Sequence, residues 1–258
     1  MASKRHWADP APITSRSYRQ NMCGRFVSPE EAAIERAVEV GRKRGLLWKA
    51  SFNTAPTMAV PVLLGDSEPG YTLDTARWGF IPRWWKKGEE PRNTINARVE
   101  SAADKPMWRD AFAKHRCLIP ALGWYEWAQR EHVDAETGEV QTIKQPYFLH
   151  APDNGLLLFA GLYSERADGR TGASLTVAII TGAATGRAVE VHDRMPVILD
   201  GEAASRWTDP EQRDKAALGD LLESNRRGDL ATHPVSRRVN SPRNDDPGLI
   251  EAMGADVP

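Results

Sequence analysis

The chain has 258 residues, 41% hydrophobic and 27% charged, with 34 Lys and Arg against 35 Asp and Glu. This composition excludes a disordered or collagen-like chain, and no apolar run approaches the ~18 residues of a membrane-spanning helix. A formal net charge of −1 points to no polyanion partner in bulk, although local basic excesses stand at Arg83 to Lys87 and Arg226 to Arg243.

In chain order, residues 1–21 are basic and acid-poor, with Lys4, Arg5, Arg16 and Arg19 against Asp9 alone. Lacking an apolar core region, they do not form a secretory signal. They read as an extension translated upstream of a start at Met22, with an organelle transit peptide as the alternative. From Pro29, two Glu precede Ile34, Ala37 and Val38 at helical spacing, and Lys/Arg precede Gly45, which predicts a helix capped by Ser28. Short apolar segments punctuated by Pro and Gly follow: VPVLLGD, YTLDTARWGFIP, RCLIPALGWYEW, YFLHAP, LLLFAGLYSE, SLTVAIITGAA and MPVILD. That texture predicts strands, and the runs Leu156 to Leu162 and Leu175 to Ile180 read as buried ones. Lys105 to Lys114 gives a second helical pattern, and Asp209 to Asn225 a third, with Leu218, Leu221 and Leu222 together.

Gln129 to Gln145 reads as an exposed hairpin, and the Pro-, Asp- and Asn-rich stretch from Asn240 as a surface loop with a loose tail. Scattered helices on an irregular sheet indicate an α+β fold, with a β-rich or barrel-like core and surrounding helices. A single domain over residues 22–247 is expected, preceded by the extension 1–21 and followed by a tail 248–258.

Cys23 and Cys117 are too few for a disulfide framework and lack the spacing of a zinc site, so no metal is expected and a reducing, intracellular setting is the default. Phosphate-loop, His-Glu-x-x-His and Gly-x-Ser-x-Gly patterns are missing from the sequence. What stands out are polar residues set in apolar, turn-rich segments: Cys23 in MCGRF, Asn53 in FNTAPT, Asn96 and Arg98 in NARVES, Glu126 in GWYEW, and His192 and Arg194 in VHDRMP.

Taken alone, Cys23 is a small buried hydrophobe more often than a nucleophile. Following Met22, it becomes the first residue if translation starts there and the methionine is excised, and then carries an α-amine and a thiol on adjacent carbons. These groups ordinarily titrate near ~8 and ~8.5. Such an aminothiol attacks an aldehyde twice, through the amine to a Schiff base and through sulfur to a thiazolidine. An internal cysteine has only an amide nitrogen, whose lone pair is delocalised.

Glu126 is either an outward carboxylate on a half-buried strand or a proton carrier in a pocket walled by Trp124 and Trp127. His192 is either satisfied by Asp193 and Arg194 or part of the chemistry, and Asn96 is a cap or a ligand-holding amide. Nine Trp stand beside five Tyr and six Phe, falling partly in two clusters, Trp78, Trp84, Trp85 and Trp124, Trp127. Core packing accounts for most of them, but Arg83, Trp84 and Trp85 followed by Lys86 and Lys87 combine cations with stacking surfaces, as a single-strand nucleic-acid site does.

Together MCGRF, NTAP, WGFIPRWW, NARVES, RCLIPALGWYEW, FAGLY, HDRMPVIL and HPVSRRVNSPRNDDP resemble the SRAP family of abasic-site processing proteins, over Met22 to about Pro247. The resemblance implies binding of single-stranded DNA and a thiazolidine between Cys23 and the aldehyde of an abasic site, shielding the lesion, with an autopeptidase activity ascribed to the family. It further implies that Asn96 holds the sugar, that Glu126 moves protons, and that His192 assists the Schiff-base chemistry. DNA contacts fall to Arg25, Asn53, Arg83, Trp84, Trp85, Arg98 and Arg194. No cofactor is called for, a monomer in the cytoplasm suits the task, and a membrane has no part in it.

Two departures are Trp124 where the family usually has Phe, and NARVES for NARSE; neither removes a reacting group. The segment before Met22 is the larger one, since the α-amine belongs to Met1 while it is attached. Rival readings are an amidohydrolase with an N-terminal Cys nucleophile and a non-catalytic single-strand binding module.

Overall fold

The computed structural model describes residues 23–45, 47–66, 69–133, 139–165, 175–225 and 228–253. The extension 1–21 and the tip of the expected hairpin lie outside the described residues. Strands dominate: β1 (Phe26–Ser28), β2 (Val40–Lys43), β3 (Ser51–Thr54), β4 (Ala59–Gly65), β5 (Tyr71–Trp78), β6 (Asn96–Arg98), β7 (Arg116–Ala121), β8 (Gly123–Val133), β9 (Val140–His150), β10 (Leu157–Glu165), β11 (Leu175–Ala183), β12 (Arg194–Pro196) and β13 (Ala231–Pro234). Short helices lie between them: α1 (Glu31–Ala37), α2 (Val99–Ala102), α3 (Arg109–Lys114), α4 (Gly201–Thr208) and α5 (Lys215–Ser224).

Five strands close on themselves in the order β11-β10-β7-β4-β5, because β5 pairs back to β11 through Ala76 to Trp78 and Leu175 to Val177. A ring with an odd number of strands cannot be antiparallel throughout, and here the β5–β11 junction is the parallel one. A second sheet, β13-β9-β8-β1-β3, lies against the ring. This is the α+β, strand-rich architecture expected, and its ring explains why the strands read as continuous apolar runs. One face of each ring strand, with Leu63, Leu73, Leu118, Ala160 and Ile180, packs under the helices. The opposite face, with Val62, Ile119, Phe159 and Val177, joins Phe26, Trp124 and Cys23 from the second sheet. Strands buried on both faces lose the polar alternation of a one-sided sheet.

Four expectations change. The helix from Pro29 spans only Glu31–Ala37, and Ser28 does not cap it: Ser28 ends β1, buried, and Glu30 takes the cap position. Val38 and Val40 leave the helix because β2 can add in parallel to the edge of β5, and β-branched residues favour that pairing. The second helical pattern yields α3 only from Arg109, after a turn, and the third yields α5 from Lys215, where the Asp214 carboxylate accepts from the amides of Ala216 and Ala217. Helix α4, just past the MPVILD strand, is additional; its Trp207 is fully buried against the Phe112 ring.

The stretch from Asn240 to Met253 is held in place rather than loose. Leu249 is buried, the Met253 amide donates to the Pro234 carbonyl, and Asn53 donates to the carbonyls of Ser241 and Asn244 as well as to that of Val239 just before the segment. The hairpin reading of Gln129 to Gln145 agrees with the long β8–β9 pairing.

Candidate functional site

The site begins where β1 meets β8. Phe26 pairs with Trp124 across the two strands, and the Tyr125 amide donates to the Arg25 carbonyl, so the chain just ahead of β1 is carried along β8 toward Glu126. Strand alternation puts Trp124, Glu126 and Ala128 on one buried face, while Tyr125 packs on the other with Phe148 and Val239. Phe26 and Trp124 are locked by edge-on ring contacts with Phe159 at 6.2 and 5.9 Å, and Phe26 also meets Trp78 at 5.1 Å. These interlocked aromatic rings pack the buried side of β8 to which Glu126 also belongs.

Glu126 is 3% exposed, and its Oε1 accepts a 2.6 Å hydrogen bond from the backbone nitrogen of Cys23. Burial raises its carboxyl to about 8, further helped by the charge of Asp193, and the Cys23 N–H only partly offsets this. Near neutrality the group is thus poised to give or take a proton. Cys23 itself is fully buried, with φ of +39°, an uncommon conformation for a residue with a side chain. Its thiol is pushed well up by burial and by the Glu126 carboxylate, so sulfur is held as the protonated thiol. Of the nitrogen and sulfur of Cys23, it is the backbone nitrogen that has a proton acceptor at hand.

Two short strands, β6 and β12, flank the nine-residue β11 and carry the other candidates. Asn96 and Arg98 are the ends of β6, which pairs in parallel with β11 (Asn96 opposite Ile179, Arg98 opposite Thr181), and Arg98 is exposed. On the other side of β11, β12 pairs Arg194 with Ala183. His192 precedes β12, its amide held by the Ala188 carbonyl, and its Nδ1 lies 3.0 Å from the Arg194 amide and 3.0 Å from Asp193 Oδ1. Asp193 in this loop acts on Glu126 through its charge.

Arg83 and Trp84 lie on the surface, Trp84 being 47% exposed and tilted against Trp85 at 5.7 Å. The Trp85 indole donates to the Glu89 carbonyl, Lys87 stands over its ring, and an Arg77–Glu90 ion pair ties the loop to β5. Trp78 and Trp124 belong to the core.

Two of the expected DNA contacts take other roles. Asn53 is 1% exposed; its amide nitrogen donates to the carbonyls of Val239, Ser241 and Asn244, and its oxygen accepts from Arg25. With the amide so occupied and buried it organises the loop and Arg25, and has no surface to offer a nucleic acid. Arg194 has a side chain 13% exposed and spends its guanidinium on both oxygens of Glu100 (2.7 and 2.9 Å) and on the Thr181 carbonyl. Arg25 is partly buried on Asn53 and Val239.

Sequence reasoning overlooked Glu100 and Thr181. Thr181 is fully buried beside Arg98, with a hydroxyl that makes no hydrogen bond among the described residues. The signal was present as a Thr closing the apolar run SLTVAIIT. No three His, Cys, Asp or Glu among the described residues form a metal-holding group, and no described helix is long and apolar enough to cross a membrane.

Comparison with known proteins points in one direction. The sequence pattern of the SOS response associated peptidase (SRAP) family matches residues 22–242. The abasic site processing protein YoqW of Bacillus subtilis is 33% identical over 238 residues, covering 90% of this chain and all of that one. The Escherichia coli abasic site processing protein YedK is 31% identical over 253 residues, again 90% of this chain and all of that one. A crystal structure of a protein from Bacteroides thetaiotaomicron superposes with a TM-score of 0.66 at 22% identity, over 90% of this chain and 97% of that one, which is a likeness of fold. These similarities establish that the chain belongs to the SRAP family.

Proposed function

We propose that this protein processes abasic sites in single-stranded DNA by forming a covalent thiazolidine with the lesion through Cys23. The observation that carries the reading is the Cys23 nitrogen 2.6 Å from a buried carboxyl raised to about 8. With residues 1–22 removed, that nitrogen is an α-amine with its proton carrier in contact.

The amine attacks the ring-opened deoxyribose aldehyde, forming a C–N bond. Glu126 takes a proton from nitrogen and returns one to the departing hydroxyl, so one water leaves and an imine remains. The Cys23 thiol then adds across the imine, sulfur to carbon and its proton to nitrogen, closing a five-membered ring. The raised thiol supports this order, because sulfur is not the first nucleophile. His192 assists imine formation and its reversal, and Asn96 holds the sugar.

Exposed Arg98 and Arg83, partly buried Arg25 and the Trp84–Trp85 pair form the strand-binding surface, the cations meeting phosphates and Trp84 stacking on a base beside the lesion. Release of Cys23 by the chain's own peptidase activity or by methionine excision at Met22 supplies the amine. A lyase side reaction follows from the imine. The domain carrying all this is residues 22–247, acting as a cytoplasmic monomer.

The test is crosslinking of an oligonucleotide with one abasic site by the chain begun at Met22. An adduct that persists under denaturation and is lost in Cys23→Ala supports the reading. Binding that is identical in the two proteins, with no adduct, replaces it by a single-strand binding module.

A further inference from the structure

The imidazole of His192 has two neighbours competing for one nitrogen. Nδ1 is 3.0 Å from the Arg194 backbone nitrogen, which donates to it, and 3.0 Å from Asp193 Oδ1, which can only accept. The two contacts require opposite tautomers. In the first, Nδ1 is bare and the ring proton sits on Nε2; in the second, Nδ1 carries the proton. Asp193 is 86% exposed and free to turn to water, so what decides between them is how firmly the Arg194 backbone is held.

That backbone is held from across two strands. Arg194 begins β12, a strand of three residues, and Asn96–Arg98 of β6 is equally short; each meets the ring through β11. From β12 the Arg194 guanidinium donates to the Thr181 carbonyl of β11 at 2.7 Å. It then reaches Glu100 in the first turn of α2, directly after β6, in a two-pronged contact of 2.7 and 2.9 Å. A planar guanidinium gripping both carboxylate oxygens fixes orientation as well as distance. The clamp thus ties together the segments bearing Asn96, Arg98, Thr181 and His192. Since Glu100 is 49% exposed, the pair adds little to stability, and its consequence is geometric.

We propose that Glu100 is a positioning residue: by clamping Arg194 it keeps the Arg194 amide on His192 Nδ1 and so selects the imidazole tautomer that presents an Nε2 proton to the reaction at Cys23. This rests on the role of His192 given under the proposed function. It also explains why Arg194, expected at the DNA, is turned inward.

The experiment compares the chain begun at Met22 with Glu100→Ala, Glu100→Asp, Arg194→Ala and the double variant Glu100→Ala/Arg194→Ala. Three quantities are read: the crosslinking rate at saturating abasic-site oligonucleotide, the affinity for the same oligonucleotide without the lesion, and the ¹⁵N resonances of the His192 ring. Glu100→Ala is expected to slow crosslinking roughly tenfold, the scale of a small misplacement at a reacting centre. Lesion-free binding should change by less than about twofold, and the ring proton should move from Nε2 toward Nδ1. Glu100→Asp should restore most of the rate, and the double variant should be no slower than the slower single, as for two residues acting as one unit.

A parental rate in Glu100→Ala, or a slowed rate with an unchanged tautomer, overturns the proposal. If Glu100→Ala folds poorly, Glu100→Gln keeps the shape without the charge and should shift rate and tautomer in the same direction. If the parent forms no crosslink, the proposed function fails instead, and the ring resonances alone decide whether Glu100 sets the tautomer.

Discussion

The two cysteines look alike by every simple measure and differ in what stands next to them. Cys23 and Cys117 are both fully buried free thiols in the same apolar cluster, and burial raises both above the ordinary thiol range. Cys117 is the second residue of β7, its sulfur against Gly161, where an added Cβ would come within 2.9 Å, and its carbonyl accepts from the Trp207 indole. Its nitrogen belongs to a strand, and its thiol is raised by burial. Cys23 is held at a positive φ with its nitrogen on a buried carboxyl. Burial alone marks neither residue as reactive; the reactivity proposed for Cys23 rests on the carboxyl at its nitrogen.

The sharpest way to break this comparison is substitution of each cysteine. Cys23→Ala should abolish the covalent adduct, whereas Cys117→Ala should leave the crosslinking rate unchanged and lower stability by about 1 kcal/mol in denaturant titration, as for a small core truncation. An adduct surviving Cys23→Ala would place the chemistry elsewhere.

Glu126→Gln should make Cys23 resemble Cys117 in reactivity, slowing crosslinking about 10²-fold with binding retained. The same variant tests the carboxyl by stability. A folded-state value near 8 against an unfolded one near 4.5 means the native protein binds more protons between those limits. The stabilising contribution is therefore complete below about 4.5 and is lost as pH rises through 8. Melting temperatures of parent and Glu126→Gln should diverge in the variant's favour from pH 5 to pH 8, and a constant gap would remove the raised carboxyl.

Smaller effects concern delivery of the strand to Cys23. Trp84→Ala should weaken single-strand binding by about 1–3 kcal/mol, the loss of one stacking surface, in fluorescence titration. Arg98→Ala should weaken binding to all sequences and reduce the salt dependence of the binding constant by about one counterion. An unaltered salt slope would take Arg98 off the phosphates.

The strand framework was readable because ring strands buried on both faces leave short continuous runs such as LLLFAGLY, and Pro and Gly mark their ends. The neighbourhood of Cys23 was readable only as candidates. Cys23 and Glu126 are 103 positions apart, and no spacing rule connects an amide with a carboxylate across two strands. For the same reason Asn53 was misread: an amide in a strand looks like a ligand contact until three carbonyls from 186 to 191 positions away are found on it. Arg194 and Glu100, 94 positions apart, carry opposite charges but no shared period. The helix expected over residues 29–45 failed at Val38 and Val40 because an open edge of β5 outweighed local propensity.

The central claim is that a freed Cys23 nitrogen performs the chemistry, and a denaturing gel tests it most directly. Single-stranded DNA with one abasic site is incubated with the chain begun at Met22, whose intact mass verifies loss of the methionine, and with the 258-residue form. The account predicts a heat-stable shifted band with the first protein, and with the second only for molecules whose mass shows loss of residues 1–22. A band of equal strength from a protein whose mass retains residues 1–22 would contradict it, as would the lack of a band in both lanes.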